Sequence, residues 1–151
     1  MNDQTNICPV CGATLGETAG CEEIFGELMA LEYADPAYWE VHALTVATYM
    51  VQHGKYSDEA LAWVLRQMRA MLEDGLTGEQ LRKIAAHEIS KPSRGWKVTR
   101  RPGETPLPRI AWEMTIADVA QHTEEAADYR ETVRSWARAT LRQQPPSEPA
   151  A

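Results

Sequence analysis

The stretch Cys21–Gly54, CEEIFGELMALEYADPAYWEVHALTVATYMVQHG, decides the fold. It reads as two helices joined at Ala34-Asp35-Pro36. In the first, Glu22–Glu32, the residues Ile24, Phe25, Leu28, Met29 and Leu31 recur at helical spacing. Pro36 suits the first turn of a new helix, with Asp35 as its cap. That second helix runs from about Ala37 to His53, and Gly54 ends it where a left-handed backbone is favoured. Folding the pair antiparallel about Asp35 sets Cys21 level with about residue 49 and His42 opposite Leu28. His53 then lies about one turn from Cys21.

Outward from this hairpin the pattern stays helical. Ser57 caps a third helix through Glu73, with Gly75 as its stop and Leu61, Val64, Leu65, Met68, Met71 and Leu72 as its buried stripe. Thr77 with Gln80 forms a capping box that opens a fourth helix to about Ser90, closed by Pro92. Residues 91–111 carry four prolines and two glycines and break the pattern. Within them Gly95–Arg101 reads as a short strand and Arg101-Pro102-Gly103-Glu104 as a turn. Thr115 with Asp118 marks another helix start. The last helix spans Glu124–Arg142, with Ala126, Tyr129, Val133, Trp136, Ala137 and Leu141 on one face. The Pro-rich tail 143–151 is expected to be disordered. The sum is a mostly α chain: a helical bundle with an N-terminal Cys-rich zinc knuckle (8–21) and a long Pro/Gly-rich basic loop (91–111) before the last helices. It is expected to form one domain over 1–142.

Composition narrows the function classes. A chain of 151 residues with 44% apolar and 25% charged residues matches an ordinary globular domain, which excludes disorder throughout. No apolar run approaches the roughly 18 residues of a membrane span. The opening MNDQTN has no basic or hydrophobic segment, so a cytoplasmic location is expected. The net charge of −7 is uneven: residues 1–60 hold ten acids and one base, while 91–109 hold six bases and one acid. Basic residues confined to a Pro/Gly-rich loop, with acidic surface elsewhere, make nucleic acid an unlikely partner.

All three cysteines fall in the first 21 residues. Cys8-Pro9-Val10-Cys11-Gly12 is a tight turn that can present two thiolates to one ion, the glycine letting backbone amides face the sulfurs. Cys21 opens the first helix, where free amides and the helix dipole favour its thiolate. Three cysteines need one further ligand to close a tetrahedral structural zinc site. His42 and His53 point the same way from the second helix but stand about 16 Å apart along it. The hairpin register selects His53, giving Cys8, Cys11, Cys21 and His53, with His42 or water as the competing fourth ligand. A redox pair at Cys8 and Cys11 is a competing reading, but that motif normally follows a strand and opens a helix. Inert thiols are another. Disulfide pairing accounts poorly for three cysteines in a reducing compartment.

His42, Thr45, Tyr49 and His53 form a polar stripe on the second helix. It reads either as a satisfied core network or as the lining of a cleft, with His42 a base or alternative ligand and Tyr49 a donor. Trp63 and Trp136 fall on apolar helical faces. Trp96 and Trp112 flank the basic loop; they either pin it or, with Arg94, Lys97, Arg100 and Arg101, contact an anion or a partner.

The Cys8/Cys11/Gly12 start, Cys21, the block His42-x-Leu44-Thr45-Val46-x₂-Tyr49-x₂-Gln52-His53, and Trp112-x₂-Thr115-Ile116-Ala117-Asp118-Val119 with Tyr129, Val133, Trp136 and Ala137 resemble a bacterial family designated domain of unknown function 5946. The resemblance covers about residues 8–141. It implies a small soluble protein without an assigned activity and adds weight to the cysteines, His42, Tyr49 and His53. The family often places proline after the Gln-His pair, where this chain has Gly54. The function expected is a zinc-stabilised binding or accessory module, with Zn²⁺ structural and a protein or small molecule as partner. The alternative is a metalloenzyme or small-molecule binder using the His/Tyr stripe, and a third is a nucleic-acid-associated regulator.

Overall fold

Asp35 ends one helix and begins the next: its carboxylate accepts from the Ala37 amide at 2.9 Å, and Pro36 occupies the first helical position. The computed structural model describes residues 6–16, 20–88, 97–100 and 110–144. In chain order the elements are β1 (Asn6–Ile7), β2 (Thr14–Leu15), α1 (Cys21–Ala34), α2 (Pro36–Trp39), α3 (His42–Gln52), α4 (Asp58–Glu73), α5 (Gly78–Glu88), α6 (Ile116–Ala120) and α7 (Ala126–Arg142). The two strands pair antiparallel, Asn6 opposite Leu15 and Ile7 opposite Thr14.

The helix expected from Ala37 to His53 is two helices, broken at Glu40–Val41. Val41 leaves the helical well at φ −103°, ψ 11°. Contacts to α7 and the loop before it explain the break. Buried Tyr38 donates to the Thr123 carbonyl at 2.9 Å, and Arg130 donates to the Ala37 carbonyl at 3.0 Å while pairing with Glu40 at 3.2 Å. These anchors hold α2 as a separate turn and override a continuous apolar pattern. The break also shifts the hairpin register. His42 stands opposite Glu32, not Leu28, and His53 stands opposite Cys21. Both pairs centre on Ala37, two residues beyond the pivot expected at Asp35.

The remaining helix starts follow their caps. Ser57 accepts from the Ala60 amide at 3.2 Å, and Thr77 and Gln80 bond reciprocally at 3.2 and 2.9 Å. Thr115 accepts from Ala117, and the Asp118 carboxylate accepts from the Thr115 amide at 2.8 Å. Gly75 ends the α4 turn at φ +70°. The core centres on α7, where Tyr129, Val133, Trp136 and Ala137 have no exposed surface. Gln52 ties α3 to that core by donating to the Met114 carbonyl at 2.8 Å and to Thr140 at 2.9 Å.

Part of the Pro/Gly-rich segment lies among the described residues. Residues 97–100 run antiparallel to 55–57, through a Tyr56–Thr99 bridge and bonds from Ser57 N to Val98 O and Arg100 N to Lys55 O, each 2.9 Å. Arg100 pairs with Asp58. Arg94, Trp96 and Arg101, the turn at 101–104, the fourth helix beyond Glu88 and the tail beyond Gln144 lie outside the described residues. Trp112 packs partly buried against the core, as does Trp63. Among the described residues no helix is long and apolar enough to cross a membrane.

Candidate metal centre

Local backbone chemistry builds the cysteine cluster. The β1–β2 hairpin closes through Cys8 N to Ala13 O and Gly12 N to Cys8 O, both 2.9 Å. Gly12 turns the chain at φ +79°, a conformation open to glycine without strain. The turn sets the Cys8 and Cys11 thiols on one side, both buried. Cys21 is the first residue of α1, so the same short loop returns a third thiol to them.

His53 completes the group from the far end of α3. It caps that helix, its amide bonding to the Tyr49 carbonyl, and Gly54 at φ +62° turns the chain away behind it. Its Nδ1 lies 2.8 Å from the Tyr49 carbonyl oxygen. A carbonyl can only accept, so Nδ1 carries the proton and Nε2 presents its lone pair. Nε2 is 3.8 Å from Cys8 Sγ, and Cys11 Sγ is 3.6 Å from Cys21 Sγ. All four ligand atoms lie within 4.8 Å of one another. Tetrahedral zinc, with bonds of about 2.3 Å to sulfur and about 2.0 Å to nitrogen, needs sulfurs about 3.8 Å apart and sulfur to nitrogen about 3.5 Å. The side chains already stand near that spacing. The four residues could therefore bind a metal ion.

The electrostatics also call for a cation. Burial opposes ionisation of Cys8, but the amides of Cys11 and Val10 and the neighbouring thiols outweigh it and lower its pKa. Burial pushes Cys11 and Cys21 up; the Cys8 sulfur adds to this at both and the Cys11 sulfur at Cys21, while the Ala13 backbone and the Cys21 thiol draw Cys11 part of the way back. Burial likewise lowers His53, keeping its imidazole neutral. Three thiolates could not coexist here uncompensated, and a bound cation would supply the missing charge. Cys8, Cys21 and His53 border an open surface cavity of about 560 Å³ with Glu22, Glu23 and Lys55. Tyr49 stacks between Phe25, at 4.1 Å, and the His53 ring, at 4.2 Å, so α1 buttresses the imidazole.

The polar stripe of α3 thus faces α1 along its length, but it serves two places. Tyr49 and His53 belong to the cysteine cluster. His42 and Thr45 converge on Glu32, a residue the sequence reading passed over. Glu32 is 1% exposed and accepts from His42 Nδ1 at 2.8 Å, from Thr45 at 2.6 Å and from the Tyr129 hydroxyl. A signal for it existed: Glu32 continues the Ile24, Leu28 spacing into the buried face of α1. Of the loop cations, Arg100 is engaged by Asp58, and Lys97 lies on the surface with its carbonyl accepting from Ser57.

No curated protein and no solved structure matches the chain. The model of the family of unknown function DUF5946 matches residues 6–144, nearly its whole length, and the chain belongs to that family.

Proposed function

We propose that Cys8, Cys11, Cys21 and His53 hold one structural Zn²⁺, and that the protein is a metal-stabilised binding or accessory module rather than an enzyme. The observation that carries this is the convergence of three buried sulfurs and a pre-oriented imidazole nitrogen within 4.8 Å. Four protein donors close a tetrahedral shell and leave no open position for a reacting water, as in structural sites. The thiolate-rich donor set favours zinc over magnesium or calcium. The ion would fasten the β-hairpin to both ends of the α1–α3 hairpin at once.

The test is metal analysis of the purified chain followed by chelation. About one zinc per chain is expected, and a lowered melting temperature once it is removed. Metal-free protein whose melting point ignores both chelator and added zinc would overturn the proposal.

A further inference from the structure

The bend between α4 and α5 brings an unmatched cation to the first half of α3. Gly75 turns the chain back at φ +70°, and the Thr77–Gln80 capping box starts α5 at once. Leu81 and Arg82 follow one turn later. Leu81 is half-buried, while Arg82 is exposed and has no ion pair among the described residues. Both line a surface cleft of about 500 Å³ between the α2–α3 junction and the α4–α5 bend. Trp39 and His42 line it as well, and their stacking at 4.0 Å and 12° fixes that wall. A second surface cleft, of about 220 Å³, adjoins the first across Ala43, Met71 and Leu81, which line both. Val46, Trp63 and Val64 extend its wall. The larger cleft has the volume of a small-molecule site, and the smaller one offers mostly apolar wall.

The charged groups that line the larger cleft, counted with their ion-pair partners, leave a positive excess. Glu40 is held between Arg130 at 3.2 Å and Arg134 at 3.7 Å, so that triplet carries one positive charge. Glu79 is matched by Lys83 at 3.8 Å. Arg82 adds a second positive charge, since a guanidinium does not lose its proton in a protein. Against these stands the pair of His42 and buried Glu32, 2.8 Å apart, which together contribute at most one negative charge. The balance is therefore positive whether or not the imidazole is protonated. A neutral ligand would leave Arg82 unmatched, and a cationic one would add to the excess. A carboxylate removes it, and the planar guanidinium fork fits a carboxylate through two parallel hydrogen bonds.

We propose that these clefts bind a small monocarboxylic acid with an apolar tail. Its carboxylate pairs with Arg82, and its tail lies across Ala43 and Leu81 into the smaller cleft. The proposal is independent of the metal reading, since none of the four cluster residues lines either cleft.

Octanoate and 1-octanol, titrated by calorimetry into the full-length protein as purified, test it. The two share a chain and differ in the charged head. Octanol leaves water more readily, so a preference for octanoate reports the guanidinium and not the apolar wall. Octanoate should bind about three- to fivefold more tightly, the worth of an ion pair open to water on one side. Arg82→Gln, a change on an exposed helical face, should erase that preference and leave octanol binding as it was. Arg82→Lys should keep part of it. Ala43→Phe, which fills the boundary shared by the clefts, should weaken both ligands about tenfold or more. No binding of octanoate, octanol binding as tightly as octanoate to the parent protein, a preference that survives Arg82→Gln, or binding indifferent to Ala43→Phe overturns the proposal.

Discussion

Two histidines on one face of α3 have different work, and their ring nitrogens show it. His53 turns Nδ1 to a backbone carbonyl and Nε2 to sulfur, whereas His42 turns Nδ1 to a buried carboxylate. His53→Ala or Cys21→Ser should therefore abolish zinc retention, while His42→Ala should keep about one ion per chain. Metal analysis of the three variants checks this, and a His42→Ala protein that loses its zinc would reverse the ligand assignment. Glu32 makes a second residue-level prediction. Glu32→Ala leaves the Tyr129 hydroxyl, the Thr45 hydroxyl and His42 without their acceptor in the core. Breaking a buried charged network in this way costs about 3–5 kcal/mol, which urea denaturation would register as a lower midpoint. Glu32→Gln retains an acceptor oxygen and should lose less. A loss under about 1 kcal/mol for the alanine variant would show that the network carries little stability. The cysteines were legible because thiols at that spacing have few other uses. Glu32 was not, because an acid near a helix end reads as solvated until its buried neighbours are known.

Elements were legible where capping chemistry is local. Ser57, Thr77 and Thr115 each begin a helix by bonds within three residues, and those starts stand where the residues place them. The break at Glu40–Val41 was illegible because its causes, Arg130 and the Thr123 carbonyl, lie more than 80 residues away. The two-residue shift of the hairpin follows from the same contacts. It carried His42 from Leu28 to Glu32 and brought His53 level with Cys21. The junction between α3 and α4 gives an element-level prediction. Tyr56 sits there, bridged to Thr99, and burial pushes its hydroxyl up to about 12. An unfolded tyrosine ionises near pH 10. Between these values the folded chain keeps a proton that the unfolded chain releases, so stability falls as pH rises through the window. The fall reaches about 2–3 kcal/mol at its upper end. Tyr129, raised further by burial and by Glu32, acts with the same sign. Denaturation midpoints from pH 9 upward should decline more gently in Tyr56→Phe than in the parent. Parallel declines would mean that the Tyr56 hydroxyl meets water freely in the fold.

At the scale of the whole molecule the proposed metal and the core would act on different parts. Trp136, Tyr129, Val133, Ile116 and Val119 have no exposed surface and come from α6 and α7, far from the cysteines in sequence. Gln52 joins α3 to that core through Met114 and Thr140. The β-hairpin is anchored more thinly: it consists of two two-residue strands, buries Ala13 and Leu15 besides its cysteines, and leaves Ile7 and Val10 exposed. A two-stranded hairpin alone is marginal in water, whereas a structural zinc site can supply on the order of 10 kcal/mol of apparent binding energy. Removing the metal should therefore release the hairpin first and spare the helical core. Hydrogen exchange followed by mass spectrometry, with and without chelator, separates the two responses. Residues 6–16 should lose protection within the earliest time points after chelation, and the start of α1 should follow. The amides of α7 from Val133 to Ala139 should stay protected, and helical circular dichroism should change little. Loss of protection in α7 together with the hairpin would instead mean that the whole fold depends on the metal. The helical core would then not stand by itself, and the ion would hold more than the N-terminal hairpin.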